Sequence, residues 1–434
     1  MILIYTKQKT ERLQYICSHI FKQMLGIEFE LCVDIHYFSD FGGYKLNYSD
    51  VPIENVLSIC PHDLLFENDI HSQKIDFKLQ GNTPICFLNH SYSSALPFDV
   101  FAACFFFLSR YEEYLPHTQD VHQRYDAVNS LAYKYDFLHL AVVDRWIKLL
   151  TDKLQGRYPD ISFSRKEFSY IPTYDIDLAY AYKHKGILLS TAGFVRSLLK
   201  MDFKAMKKRA NVLLGKTPDP YETFSYLSSL HEKYNLNPCY FFLVAPNRSK
   251  YDKNTSPNNK AFQKLIQHLS QKDNIGLHTS YYIKDNPRKI DSELTLLRNI
   301  TGKTIDKNRH HYLRFSLPES YQLLASKTIQ EEYSMGYVHH VGLRAGTCNS
   351  FYWFDLQENK TTDMLVYPLL FMENAFLKED ASQVINRLIP FINEIKQWNG
   401  TLVTLFHNQS FGDEGYQDKW KKVYESLLKI ILNK

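Results

Sequence analysis

The stretch FSYIPTYDID, residues 168–177, decides how the second half of this 434-residue chain is read. Its β-branched and aromatic residues form a strand, and the strand ends on two carboxylates two positions apart, Asp175 and Asp177. Side chains alternate across a strand, so both acids project into the same space. Two ionised carboxylates close together repel, and they need a cation or a proton between them. A divalent metal held by one would leave the other free to act as a base on water. The alternative is a helix N-cap plus a salt bridge, because the following LAYAYKHKG can start a helix.

From this strand onward the pattern is regular. The strand CYFFLVA (239–245), the helix AFQKLIQHL (261–269) and the strand NIGLHTS (274–280) are followed by the helix SELTLLRNI, the strand HYLRF (311–315) and the helix SYQLLASKTI. Short strands are expected at GLRAGT (342–347) and MLVYPLLF, then a helix VINRLIPFINEIKQW, the strand TLVTLFHNQ and a last amphipathic helix, WKKVYESLLKIIL. Such alternation predicts an α/β fold with a largely parallel sheet, and a closed or nearly closed barrel is the version that gathers all the strand ends. The first part opens with the strand Ile2–Tyr5 and a helix that Gly26 stops, and continues through FELCVDI, ENVLSIC and TPICFL to the helical stretches around VFAACFFFL and VVDRWIKLLTDKL. The polar stretch QGRYPDISFSRKE predicts a boundary near residue 160, giving a smaller α/β domain over 1–160 and a second domain over 165–434.

The bulk numbers exclude several classes. With 44% hydrophobic, 15% aromatic and 23% charged residues the chain is an ordinary globular one, and a net charge of +4 is too mild to argue for nucleic acid. Seven scattered cysteines without a CxxC pair read as reduced thiols. The N-terminus lacks the pattern of a secretory signal, and VFAACFFFL is far shorter than the ~20 residues a membrane helix needs. A cytoplasmic location is therefore expected.

Further polar groups fall at or near predicted strand ends: His278 in NIGLHTS, His310 or His311 in RHHYLRF, Arg344 in GLRAGT and His407 in TLVTLFH. A lone histidine is more often structural than a ligand. Convergence of two acids, histidines and an arginine on one sheet edge is the arrangement of an active site.

In that order, TYDID, HTSYY (278–282), RAGT (344–347) and LFH (405–407) resemble the motifs of the polysaccharide deacetylases, the carbohydrate esterase family four type, over residues 165–434. The resemblance implies a distorted, partly open (β/α) barrel, preceded here by an additional α/β domain of unknown role. It implies a divalent metal, usually zinc, and hydrolysis of an acetyl group on a saccharide or glycoconjugate. Asp175 would be the general base, Asp177 and His278 metal ligands, His407 the general acid, and Arg344 the group that tunes the base. The family's second histidine is Tyr282 here, so a third ligand must come from elsewhere, with His311 the first choice. Tyr282 and Trp353 are candidate sugar contacts, although FYWF at strand spacing equally suits packing.

Two readings of other classes stand beside this one: a catalytically degenerate protein that binds carbohydrate or acts as a scaffold, and a glycosyltransferase using DID as a metal motif. SRYEEY (109–114) and Arg124 read as a salt-bridged interface with the barrel. Residues 193–216 are basic and amphipathic, suited either to a surface helical hairpin or to peripheral contact with an anionic membrane.

Overall fold

The computed structural model describes residues 1–432 apart from 90, 92–93, 165 and 413–415. Residues 165 and 433–434, which bound the expected second domain, lie outside the described residues. Strands β1 (Ile2–Thr6), β2 (Phe29–Cys32), β3 (Tyr44–Tyr48) and β4 (Leu57–Ser58) form a parallel sheet in the order β2-β1-β3-β4. A short antiparallel pair follows, β5 (Lys78–Gln80) with β6 (Thr83–Ile85). Asp99 then starts the helix Val100–Leu108 by accepting the N–H groups of Phe101 and Ala102 at 2.9 and 3.1 Å. All nine residues of this helix are buried, which is the fate of a helix that is apolar all round. It packs towards the second sheet, where Phe105 meets Phe354 edge-on at 5.1 Å.

The second sheet has nine strands: β7 (Ser169–Ile176), β8 (Cys239–Phe242), β9 (Asn274–Thr279), β10 (Lys307–His310), β11 (Glu331–Met335), β12 (Phe351–Asp355), β13 (Lys360–Pro368), β14 (Phe371–Met372) and β15 (Thr401–His407). Their order is β12-β13-β11-β10-β9-β8-β7-β15-β14, parallel throughout except where β12 runs against β13. Two expected strands differ. HYLRF is not the strand; β10 lies earlier, and the chain turns at His311–Leu313 with Tyr312 at φ 62°. GLRAGT is a loop, in which Gly346 takes a left-handed φ of 65° that a strand does not use.

Alternation along the strands separates two apolar layers. Tyr174 and Ile176 of β7, Tyr240 and Phe242 of β8, and Phe406 of β15 join the main core under the helices. Phe241, Val403 and Leu405 form a smaller cluster with Tyr333 and Leu369 on the other face. That second face is concave. Arg309 of β10 donates from Nη1 to Asp175 Oδ1 at 3.0 Å and to Thr173 Oγ1 at 2.7 Å, although β9 and β8 lie between β10 and β7. Three strand spacings are about 14 Å on a flat sheet, and side chains stand perpendicular to it, so the contact requires the sheet to curl. Gly276 of β9 makes room for this: a Cβ there would stand 2.4 Å from the Phe241 ring, over which the Arg309 guanidinium lies at 4.6 Å.

The main apolar cluster is continuous across residue 160, holding Ile4, Phe105 and Trp146 together with Tyr174, Phe354 and Trp420. Two buried ion pairs cross the same junction. Arg344 donates to Glu113 from Nε at 2.8 Å and from Nη2 at 2.5 Å, and Arg110 shares that carboxylate at 2.7 Å. Arg145 grips Glu394 at 2.6 Å through both Nε and Nη2. Burial opposes ionisation of Glu113, but the Arg344 and Arg110 charges overcome it and hold the carboxyl down at about 2.

Glu113→Gln leaves two buried guanidinium groups short of their counter-charge and should lower unfolding stability by about 3–5 kcal/mol in a urea titration. Because the carboxyl is depressed in the folded state, its contribution is complete above its ordinary value near 4.5. It should be lost as pH falls towards 2 in the wild type and not in the variant. Gly276→Ala should displace the Phe241 ring and with it Arg309, costing about 1–3 kcal/mol as an overpacked core does, measured by the same titration.

Candidate metal centre

The carboxyl ends of β7, β9, β10 and β15 open on a cavity of about 470 Å³ lined by Asp175, Asp177, His278, His311 and His407. Asp177 follows the last residue of β7 and His311 the last of β10, so both stand where the parallel strands stop pairing. Asp177, His278 and His311 each present one donor atom, and these lie within 4.8 Å of one another. Asp177 Oδ1 is 3.3 Å from His278 Nε2, and its Oδ2 is 3.5 Å from His311 Nε2. A tetrahedral ion with ligands at about 2.0–2.2 Å separates its donors by roughly 3.3–3.6 Å. The residue types suit such an ion, with His278 and His311 facing different oxygens of the one carboxylate, and Asp177 Oδ1, buried and without a hydrogen-bond partner, is an atom such an ion would satisfy.

The second nitrogen of each imidazole is fixed from behind. His278 Nδ1 sits 2.9 Å from the Arg309 carbonyl, which can only accept, so Nδ1 carries a proton and Nε2 is the nitrogen turned to Asp177. His311 Nδ1 sits 3.0 Å from Asp252 Oδ1, a carboxylate also held by the Tyr281 N–H at 2.7 Å and the Ser249 hydroxyl. Carboxylate and carbonyl partners of this kind orient metal-binding histidines. Burial pulls His311 towards neutrality, but Asp177 and Asp252 outweigh it and raise its pKa to about 9. Burial would likewise raise Asp177, yet His311, His278 and His407 hold it well below the usual carboxylate range. The cluster thus demands positive charge beside Asp177, whether as a proton or as a metal.

Asp175 and His407 flank the donors. Arg309 occupies Asp175 Oδ1, while Oδ2 faces His278 Nε2 at 3.5 Å. His407 Nδ1 is 2.7 Å from Glu373 Oε2, and its Nε2 points to Asp177 Oδ2 at 3.9 Å. Burial lowers the His407 pKa, but the Glu373 hydrogen bond and charge, aided by Asp177 and Asp175, raise it to about 9.

Three sequence-based candidates stand elsewhere. Arg344 does not reach Asp175, because its guanidinium is committed to Glu113 and the Gly336 carbonyl; Arg309 takes the place beside the acid. Trp353 is buried on β12, edge-on to Tyr321 at 5.4 Å and far from β7 in the sheet order, so it packs the core. Tyr282 falls on the turn Tyr281–Ile283, where the strand has already ended; it contacts Tyr251 and Lys289 and does not line the cavity. His310 faces away from His311 and bonds Thr279. Arg309, Asp252 and Glu373 were not singled out from the sequence. Arg309 shares strand parity with His311, which is a usable signal, whereas Asp252 lies in a stretch that reads only as a polar loop. Arg124, from the first 160 residues, also lines the cavity and is held by Asp120 and the Tyr312 carbonyl.

Residues 2–159 match the model of a family of unknown function, DUF7033. No curated protein matches the chain in sequence. Among solved structures, the chain is similar to a Mycobacterium smegmatis protein assigned as a polysaccharide deacetylase, at 13% identity and a TM-score of 0.39, over 62% of this chain and 86% of that one. It is similar to Puue allantoinase at 11% identity and a TM-score of 0.38, over 61% and 84%. It is also similar to a Bacillus cereus polysaccharide deacetylase at 10% identity and a TM-score of 0.29, over 60% and 87%.

Proposed function

We propose that this chain is a metal-dependent hydrolase that removes the acetyl group from an N-acetylated saccharide or glycoconjugate precursor, on a distorted, partly open barrel. The observation that carries the proposal is the Asp177, His278 and His311 donor set, with an arginine-held carboxylate on one side and a glutamate-held histidine on the other. Two imidazoles and one carboxylate suit zinc and leave a coordination position open. A divalent ion held there supplies polarisation of the acetyl carbonyl and acidification of water.

The chain's own groups supply the rest. Asp175 accepts the proton of the attacking water on Oδ2, the oxygen that Arg309 leaves free, and Arg309 fixes the carboxylate's orientation. His407 stands across the donor set, protonated at neutral pH, and delivers a proton to the departing amine from Nε2 while Glu373 holds Nδ1. Glu373 thus keeps His407 protonated, as a proton donor must be. The saccharide assignment is supported by the order of the motifs along the chain. The cytoplasmic assignment is supported by seven free cysteines, six of them buried. No described helix is long and apolar enough to cross a membrane.

Zinc titrated into purified protein should bind at one equivalent and release about one proton per ion at pH 7, because His311 is protonated until a cation replaces its proton. Calorimetry in buffers of different ionisation enthalpy measures that release, and apparent affinity should climb as pH rises towards 9. Asp177→Asn should abolish the binding, and Asp252→Asn should weaken it about 10- to 100-fold. Zinc binding unchanged in Asp177→Asn would overturn the donor assignment.

Acetate release from acetylated chito-oligosaccharides and sugar precursors should fall about 10²- to 10⁴-fold in His407→Gln with zinc still bound. The basic limb of the wild-type pH profile should report the loss of the His407 proton, and Glu373→Gln should move that limb to lower pH. Zinc retained without acetate from any of these substrates would assign the site to carbohydrate binding instead.

A further inference from the structure

Between Asp177 and Tyr221, both of which line the cavity, the chain leaves the barrel as a helical hairpin, Ile187–Leu199 and Phe203–Leu213. Its root is clamped: buried Asp219 accepts the N–H groups of Ala181, Tyr182 and Lys183 at 2.7, 2.8 and 2.9 Å. Its helices are joined by Arg209, whose guanidinium lies over the rings of Tyr182 and Phe194 at 4.8 and 5.6 Å. Gly193 lets that contact form, since a Cβ there would meet the guanidinium.

Among the described residues, nine of the twenty-one exposed large apolar side chains fall within residues 187–214, so the apolar surface is concentrated here. At the tip, Leu199, Met201 and Phe203 are 80%, 75% and 64% exposed. Residues 187–216 carry seven Lys and Arg against one acid. That acid, Asp202, caps the second helix by accepting the Ala205 N–H at 2.9 Å. An apolar tip ringed by cations decides the occupant. A second copy would set one cationic face against another. A nucleic acid would engage the lysines and leave the tip in water. An anionic bilayer takes both, with phosphate-bearing headgroups for the cations and the acyl boundary for the tip.

We propose that the hairpin docks on an anionic membrane surface, with the Leu199–Phe203 tip entering the headgroup layer and the basic residues lying along it. The first helix is about 20 Å long, so docking brings the cavity at the root within roughly that distance of the lipid. On the hydrolase reading, the substrate is then a saccharide held by a membrane-bound carrier; the docking itself stands apart from that reading.

Full-length protein mixed with phosphatidylcholine vesicles, with and without phosphatidylglycerol, tests the proposal by sedimentation and needs no enzymatic readout. Binding to the anionic vesicles should be about tenfold tighter or more, and should weaken as salt is added. A Leu199→Ser, Met201→Ser, Phe203→Ser variant, changed only at exposed positions, should keep its melting temperature and lose the binding. A second variant, Lys200→Glu with Lys204→Glu, should weaken it about tenfold or more. Equal or absent binding to the two vesicle types overturns the proposal. So does undiminished binding by the tip variant, as for a soluble polyanion, or a dimer in light scattering that the tip variant abolishes.

Discussion

The buried pair between Arg309 and Asp175 is the contact on which the architecture of the large sheet turns. Arg309 starts on β10, crosses the Phe241 ring on β8 and ends on β7, so it acts as a chord across the concave face. A charge pair removed from water depends on hydrogen bonds to its remaining donors and acceptors. Arg309 meets that condition in part through Asp175, Thr173 and the Tyr333 carbonyl. The same residue lends its own carbonyl to His278. One residue therefore ties down the curvature and the pose of one acid through its side chain and one histidine nitrogen through its carbonyl, and all three follow from where β10 lies in the sheet.

The location of β10 is also where sequence reasoning stopped short. Strands such as CYFFLVA and TLVTLFH announce themselves by apolar content, and both fall where their composition places them. β10 and β11 do not. KNRH and EEYSM carry Asn308, Arg309, Glu332 and Ser334 into the fully buried interior, where Glu332 accepts from the Tyr321 hydroxyl at 2.6 Å and from the Ser334 N–H. Hydrophobic periodicity is blind to strands whose buried positions are polar and mutually bonded. The shift of β10 relative to HYLRF has the same origin, since the apolar Leu313 and Phe315 belong to the chain after the strand.

Legibility within the site divided along a similar line. The groups on or beside apolar strands, Asp175, Asp177, His278 and His407, could be marked in the sequence as polar residues at strand ends. The groups that complete their charge balance, Arg309, Asp252 and Glu373, come from a polar strand, a loop and a two-residue strand, and only the fold brings them together. Arg344 shows the converse. Its motif position suggested a neighbour of the base, but the basic residue that the buried Glu113 carboxylate needs in this chain comes from that loop. Burial electrostatics decided between two arginines that the linear pattern could not tell apart.

Arg124 sits in the cavity wall, yet it belongs to the first 160 residues and reaches its place through the Tyr312 carbonyl. The cavity wall is therefore assembled from both sides of residue 160. Exchange of the stretch on either side would part Arg124 from the rest of the lining, divide a shared core and separate the members of each crossing ion pair. A substitution in the shared core or in a crossing ion pair on one side of the junction is therefore felt by the packing on the other.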